Sequence, residues 1–116
     1  MIEKDYSPWL PVVFMIEAAL RTLTSTEEVQ TVHFLEKDGF VIYAHGEEPV
    51  EEAATNMTRW QTLIETAEEE AMITLVMEHG YVILHPVGTR MLVVKCNRMA
   101  NLGAIRTAIR EVHWPA

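Results

Sequence analysis

The sequence predicts an α+β domain whose elements run α-β-β-α-β-β-β-α. Three observations carry that prediction. Apolar residues recur at helical spacing in three separate segments, near the start, in the middle and at the end of the chain. Between the first and second, two strand-like runs flank Asp38-Gly39, a dipeptide whose tolerance of positive φ closes tight hairpins. Between the second and third, three short β-rich runs follow one another across His79-Gly80 and Gly88-Thr89. With 116 residues, 49% hydrophobic and 22% charged, the chain amounts to one domain, 1–116, able to bury a core without metal or disulfide support.

The first helix is expected over Ser7 to Leu23. Ser7 suits the cap and Pro8 the first helical position. Trp9, Val12, Val13, Ile16, Ala19, Leu20 and Leu23 fall within about 120° of arc at the helical 100° per residue. Leu10 and Phe14 lie outside that stripe, to meet a second element or a partner. Strands are expected at Val29 to Lys37 and Phe40 to His45. Helical spacing returns from Glu47 to Glu70, started by Pro49 with Glu51 and Glu52, whose negative charge suits a helix N-terminus. Ala53, Met57, Trp60, Ile64, Ala67 and Ala71 form its narrow buried stripe.

Three strands follow, Met72 to Glu78, Tyr81 to Val87 and Arg90 to Cys96. Apolar residues occupy both of their faces, so the sheet needs cover on both sides, and three helices supply it. In the last helix, Asn101 to His113, Leu102, Ile105, Ala108, Ile109 and Val112 share one side. Asn101 suits the cap, and Gly103 is expected to let the helix backbone approach the sheet.

Composition narrows the function. Acidic residues outnumber basic ones 17 to 9, and a net charge of -8 is repelled by a phosphate backbone or an anionic lipid surface, so nucleic acid is not expected as a partner. The longest apolar run, Trp9 to Ile16, falls far short of the roughly 20 residues that cross a bilayer, so no membrane span is expected. Glu3, Lys4 and Asp5 do not make the positive leader of a secretory signal, and the single Cys96 fits a reducing compartment. A cytoplasmic protein is expected.

Five histidines raise the question of a metal. A two-residue turn at Asp38-Gly39 sets His33 opposite Ala44 and His45 opposite Val32, on opposite faces. A turn at His79-Gly80 sets His85 across from Thr74, away from His79, and Cys96 falls opposite Tyr81. A zinc site needs three or four convergent ligands, so no metal is expected. Cys96 has no histidine at short spacing, and Ser7 and Ser25 stand in no Gly-x-Ser-x-Gly turn, so no catalytic residue is assigned. Neither a Gly-x-Gly nor a glycine run ending in Lys-Ser or Lys-Thr occurs, which leaves no nucleotide or other cofactor to expect. Glu47, Glu48, Glu51 and Glu52, with Glu68, Glu69 and Glu70, lack the spaced loop that wraps calcium and form a solvated acidic rim.

Charge distribution and one strand are more informative. Residues 47–70 carry eight acids against Arg59, whereas residues 90–116 carry five basic side chains against Glu111. The run Met72 to Met77 has no charge, Pro or Gly, and a bare edge of that kind recruits other chains. Pairing with the same strand of a second copy across a twofold axis is the economical solution, through Ile73, Thr74, Leu75 and Val76. In the preceding helix, Thr55, Asn56, Arg59, Thr62, Leu63 and Thr66 form a second, mostly uncharged face expected in the same interface, with Trp60 at its margin. Glu51, Glu52 and Arg59 are candidates for contact with another partner.

The pattern resembles the Roadblock/dynein light-chain family, including bacterial MglB-like regulators, from about Leu10 to Trp114. It rests on the hairpin Phe34-Leu35-Glu36-Lys37-Asp38-Gly39-Phe40-Val41-Ile42, on the three strands after a long helix, and on Met99-Ala100-Asn101-Leu102-Gly103-Ala104-Ile105-Arg106. The resemblance implies a five-stranded antiparallel sheet with the long middle helix on one face and the two terminal helices on the other. It further implies a homodimer formed through the middle helix and third strand. The implied function is non-catalytic: a module that regulates a small Ras-like GTPase, at most stimulating hydrolysis by arranging the GTPase's own residues. The acidic rim departs from the family pattern. The alternatives are a dimeric scaffold that joins larger signalling proteins whatever the nucleotide state, and a small-molecule sensor with a ligand between helix and sheet.

Overall fold

A computed structural model of the chain describes residues 10–46, 59, 60, 62, 63, 65 and 72–114, with the side chains of residues 10 and 11 left aside. Helices α1 (Leu10–Ala19) and α2 (Arg21–Thr24) are followed by strands β1 (Val29–Glu36) and β2 (Val41–His45). Residues 59, 60, 62, 63 and 65 are helical and belong to the middle helix. Strands β3 (Ile73–Met77), β4 (Gly80–Val87) and β5 (Arg90–Asn97) lead into the C-terminal helix α3 (Leu102–Arg110). All pairings are antiparallel, in the spatial order β2-β1-β5-β4-β3. The chain thus leaves the sheet at one edge and re-enters at the other. At about 4.8 Å per strand spacing, the two edges lie roughly 19 Å apart.

Side chains alternate between two cores. On one face Val32 and Phe34 of β1, Ile83 of β4 and Leu92, Val94 and Cys96 of β5 pack with Ile16, Leu20 and Leu23 from the first two helices and Ile105 and Ile109 from α3. On the other, Leu35, Val82, Leu84, Met91 and Val93 pack with Trp60, flanked by Val41, Ile73 and Leu75. The middle helix and the terminal helices therefore lie on opposite faces, as expected.

The first helix is not one unbroken rod. Leu20 separates α1 from α2, but its amide still donates to the Ile16 carbonyl (3.0 Å) and its carbonyl accepts from Thr24 N (3.0 Å). The buried stripe of Ile16, Leu20 and Leu23 therefore runs through the break. The hydroxyls of Thr24, Ser25 and Thr26 turn back onto the carbonyls of Arg21 and Thr22, and the helix ends there. Ser7, Pro8 and Trp9 lie outside the described residues. At the far end, Asn101 Oδ1 accepts from Ala104 N at 3.1 Å, the expected cap. Trp114 closes the same face by stacking on Phe34, centroids 4.6 Å apart.

Three expectations need correction. The first hairpin has a three-residue loop, not a two-residue turn: Glu36 N donates to Phe40 O, Gly39 N donates to Glu36 O, and Gly39 takes φ 93°. Asp38 Oδ1 accepts from Phe40 N, which favours this longer closure. A register shift between Phe34 and Leu35 leaves Ile42 bulged, and the two irregularities cancel, so His33 still faces Ala44 and His45 still faces Val32. The second hairpin turns at Glu78-His79, because Met77 already pairs with Gly80. Thr74 consequently faces Ile83 and not His85. Gly103 is exposed, and a Cβ there would meet only Asn101 Oδ1 at 3.5 Å, so it does not bring the helix close to the sheet.

Candidate functional site

Among the described residues, strand β3 forms one edge of the sheet and pairs only with β4. Its alternation divides its side chains. Ile73 and Leu75 join the Trp60 core, whereas Thr74, opposite Ile83, belongs to the face covered by the terminal helices. Val76 follows Thr74 on that face and is 78% exposed. The edge thus presents an uncharged strand whose apolar tip is uncovered.

Around it, Trp60 is only 9% exposed and is held by Leu35, Val82, Leu84, Met91 and Val93. Its ring packs in the chain's own core, in line with its place in the expected buried stripe. Arg59, Thr62 and Leu63 are exposed, on the same helix. Thr55, Asn56, Thr66, Glu51 and Glu52 lie outside the described residues. Of the interface set, the structure brings together Trp60, Ile73 and Leu75 in one core and leaves Val76 at the rim.

Two side-chain contacts, one of them at this site, carry no signal in spacing or composition. Arg106 Nη1 of α3 donates to Thr74 Oγ1, both partly buried, joining the C-terminal helix to the edge strand. Within the sheet, Arg90 Nε donates to Glu36 Oε1 at 3.0 Å across the end of the interior pair β1 and β5. That pair walls a cleft of about 450 Å³ lined by Val12, Val13, Phe40, Val41 and Ile42. Phe14 and Phe40 stand exposed by 61% and 66%; Phe14 is one of the two residues outside the first-helix stripe, the other being Leu10, whose side chain is left aside.

The titratable groups do not converge. His33 is buried on the middle-helix face, while His85 opposite Leu92 sits on the other. No group of three His, Cys, Asp or Glu is placed to hold a metal ion among the described residues. Cys96 faces Tyr81, as expected, and burial pushes its thiol up to about 11. The folded value lies above the unfolded one, so this contribution to stability is fully present below about pH 9 and is lost as pH rises towards 11. Wild type is expected to lose more stability than Cys96→Ala between pH 8.5 and 11 in urea titrations, and native thiol labelling at pH 8 to be at least about a hundredfold slower than labelling in denaturant. Equal pH slopes for the two proteins would refute this. Burial, and secondarily the charge of Glu17, also raise the Tyr43 phenol under α1, with Arg21 opposing.

A five-stranded antiparallel sheet in the order β2-β1-β5-β4-β3, with helices on both faces, is the Roadblock/LC7 fold. No protein-family model matches the chain, and no curated protein matches it. The likeness is one of structure. Myxococcus xanthus MglB superposes with a TM-score of 0.70 at 14% identity, over 96% of this chain and 88% of that one. A Roadblock/LC7 domain from Streptomyces avermitilis gives 0.67 at 12% identity, over 86% and 89%. An MglB structure with a tetrameric arrangement gives 0.62 at 18% identity, over 96% and 91%. No helix among the described residues is long and apolar enough to cross a membrane.

Proposed function

We propose that this protein is a cytoplasmic homodimeric module that regulates a small Ras-like GTPase, with no active site of its own. The observation that carries the proposal is the bare β3 edge, uncharged, with Val76 uncovered at its tip. Exposed unpaired strands without lysine, proline or a bulge require a partner, and a second copy of the same strand supplies one. The middle helix runs beside this edge, since Trp60 shares a core with Ile73 and Leu75, so Arg59, Thr62 and Leu63 extend the surface. The GTPase assignment is supported by likeness to proteins named MglB, one of them in a tetrameric arrangement, and by the sequence resemblance. Fold alone does not specify a partner. A scaffold reading is favoured by a separate surface: Phe14 and Phe40 are exposed near the β2 side of the sheet, away from the dimer edge.

The test has two parts. Wild type is expected to sediment as a dimer and Val76→Lys as a folded monomer, the dissociation constant rising about a hundredfold as two ammonium groups meet across the axis. Val76 is the cleaner site than Leu75, whose lysine variant would also disturb the Trp60 core. Purified small GTPases from the same genome, loaded with GTP analogue or GDP, are then presented to the dimer. Binding that depends on the nucleotide supports a regulator, and equal binding to both forms supports the scaffold. A monomeric wild type, or no binding in either state, overturns the proposal.

A further inference from the structure

We infer that Arg106 is a positioning residue for the association edge, holding β3 from the C-terminal helix in the shape a second copy pairs with. The inference rests on the homodimer proposed above. An edge strand is hydrogen-bonded on one side only and opens more readily than the strands inside the sheet. On the face of β3 turned to the terminal helices, Met72 just before the strand is partly packed against the core, and Val76 near its end is exposed. Between them the Thr74 hydroxyl accepts from the Arg106 guanidinium. The donor is charged and the acceptor neutral, which makes this bond stronger than an ordinary side-chain contact, and the Thr74 hydroxyl keeps its own proton to donate.

The guanidinium has a firm base. Ile105 beside it and Ile109 one turn further on are buried, and the Asn101 cap fixes where the helix begins. Ala100-Asn101-Leu102-Gly103-Ala104-Ile105-Arg106 thereby acquires a physical meaning: the cap sets the helical phase, the isoleucine anchors the turn, and the arginine reaches the strand. A strand already held in its pairing conformation loses less conformational freedom on association, so the clasp favours the dimer without touching the second copy. Without it, Arg106 would be a solvated side chain of no consequence for association.

The experiment is a double-mutant cycle on the full chain, read by sedimentation equilibrium and by amide exchange of residues 73–77. Arg106→Met and Thr74→Val are each expected to raise the dimer dissociation constant about tenfold. The double variant should be no weaker than either single one, and Thr74→Ser should stay within twofold of wild type because it keeps the acceptor. At concentrations where the protein is monomeric, both single variants should speed exchange in β3 about tenfold while β1 and β5 are unchanged. Single variants within twofold of wild type, or effects that multiply in the double variant, overturn the inference. A wild type that never dimerises removes the homodimer proposal instead; exchange of residues 73–77 then decides alone, and unchanged rates would overturn the clasp too.

Discussion

Gly80→Ala is expected to cost about 3 kcal/mol or more and to lower the melting temperature by roughly 10 °C. A Cβ built on Gly80 falls 2.0 Å from the Cys96 carbonyl oxygen and 3.0 Å from Asn97 Cα. These are backbone atoms of the neighbouring strand, so relief requires β4 and β5 to move apart at the end where they pair Gly80 with Asn97. Gly88→Ala is the internal control. Gly88 holds φ 62° in the β4–β5 turn with nothing within 4 Å, and its replacement meets only backbone strain of about 1 kcal/mol. Thermal unfolding of both variants decides the matter. If Gly88→Ala proved the worse, the turn and not the interstrand approach would be the tighter constraint, and the placement of Gly80 inside β4 would be wrong.

Trp60→Ala should remove about 3–5 kcal/mol, a large share of the roughly 5–15 kcal/mol that stabilises a typical domain. Trp60 is the described residue through which the middle helix reaches the core of Leu35, Val82, Leu84, Met91 and Val93. Truncation leaves a cavity against the sheet and loosens the helical segment that Trp60 anchors. Trp60→Phe, which keeps an aromatic ring, should cost less than half as much. Urea unfolding followed by circular dichroism gives the free energies, and loss of the most blue-shifted component of tryptophan emission reports the same site. A Trp60→Ala protein within 1 kcal/mol of wild type would mean that the helix is not docked on this face.

Much of this architecture is legible in the chain because it depends on periodicity. The placement of His33 and His45 on opposite faces follows from strand alternation, and the absence of charge from Ile73 to Met77 marks the strand that lies at the edge. Asn101 as cap and Cys96 opposite Tyr81 follow from local chemistry and a correctly placed turn. Glycine is where such reasoning fails. The residue serves positive φ and close approach equally well, so Gly80 reads as a turn although it sits in a strand, and Gly103 reads as a close contact although it faces solvent. The Arg106 contact with Thr74 joins residues 32 positions apart, and no period or spacing announces it. At the candidate site, the place of Trp60 in the core is legible from the helical stripe, and the packing shows which strand residues meet it.

The bulge at Ile42 has an effect beyond the hairpin. It places Ile42 and Tyr43, neighbours in sequence, together in the core under the terminal helices, while Val41 packs on the opposite side. A strand bent in this way offers a short, irregular row of amides and carbonyls to any incoming chain. The β2 margin is thus shaped against further strand pairing, whereas the regular register of β3 with β4 leaves the other margin free of any such irregularity.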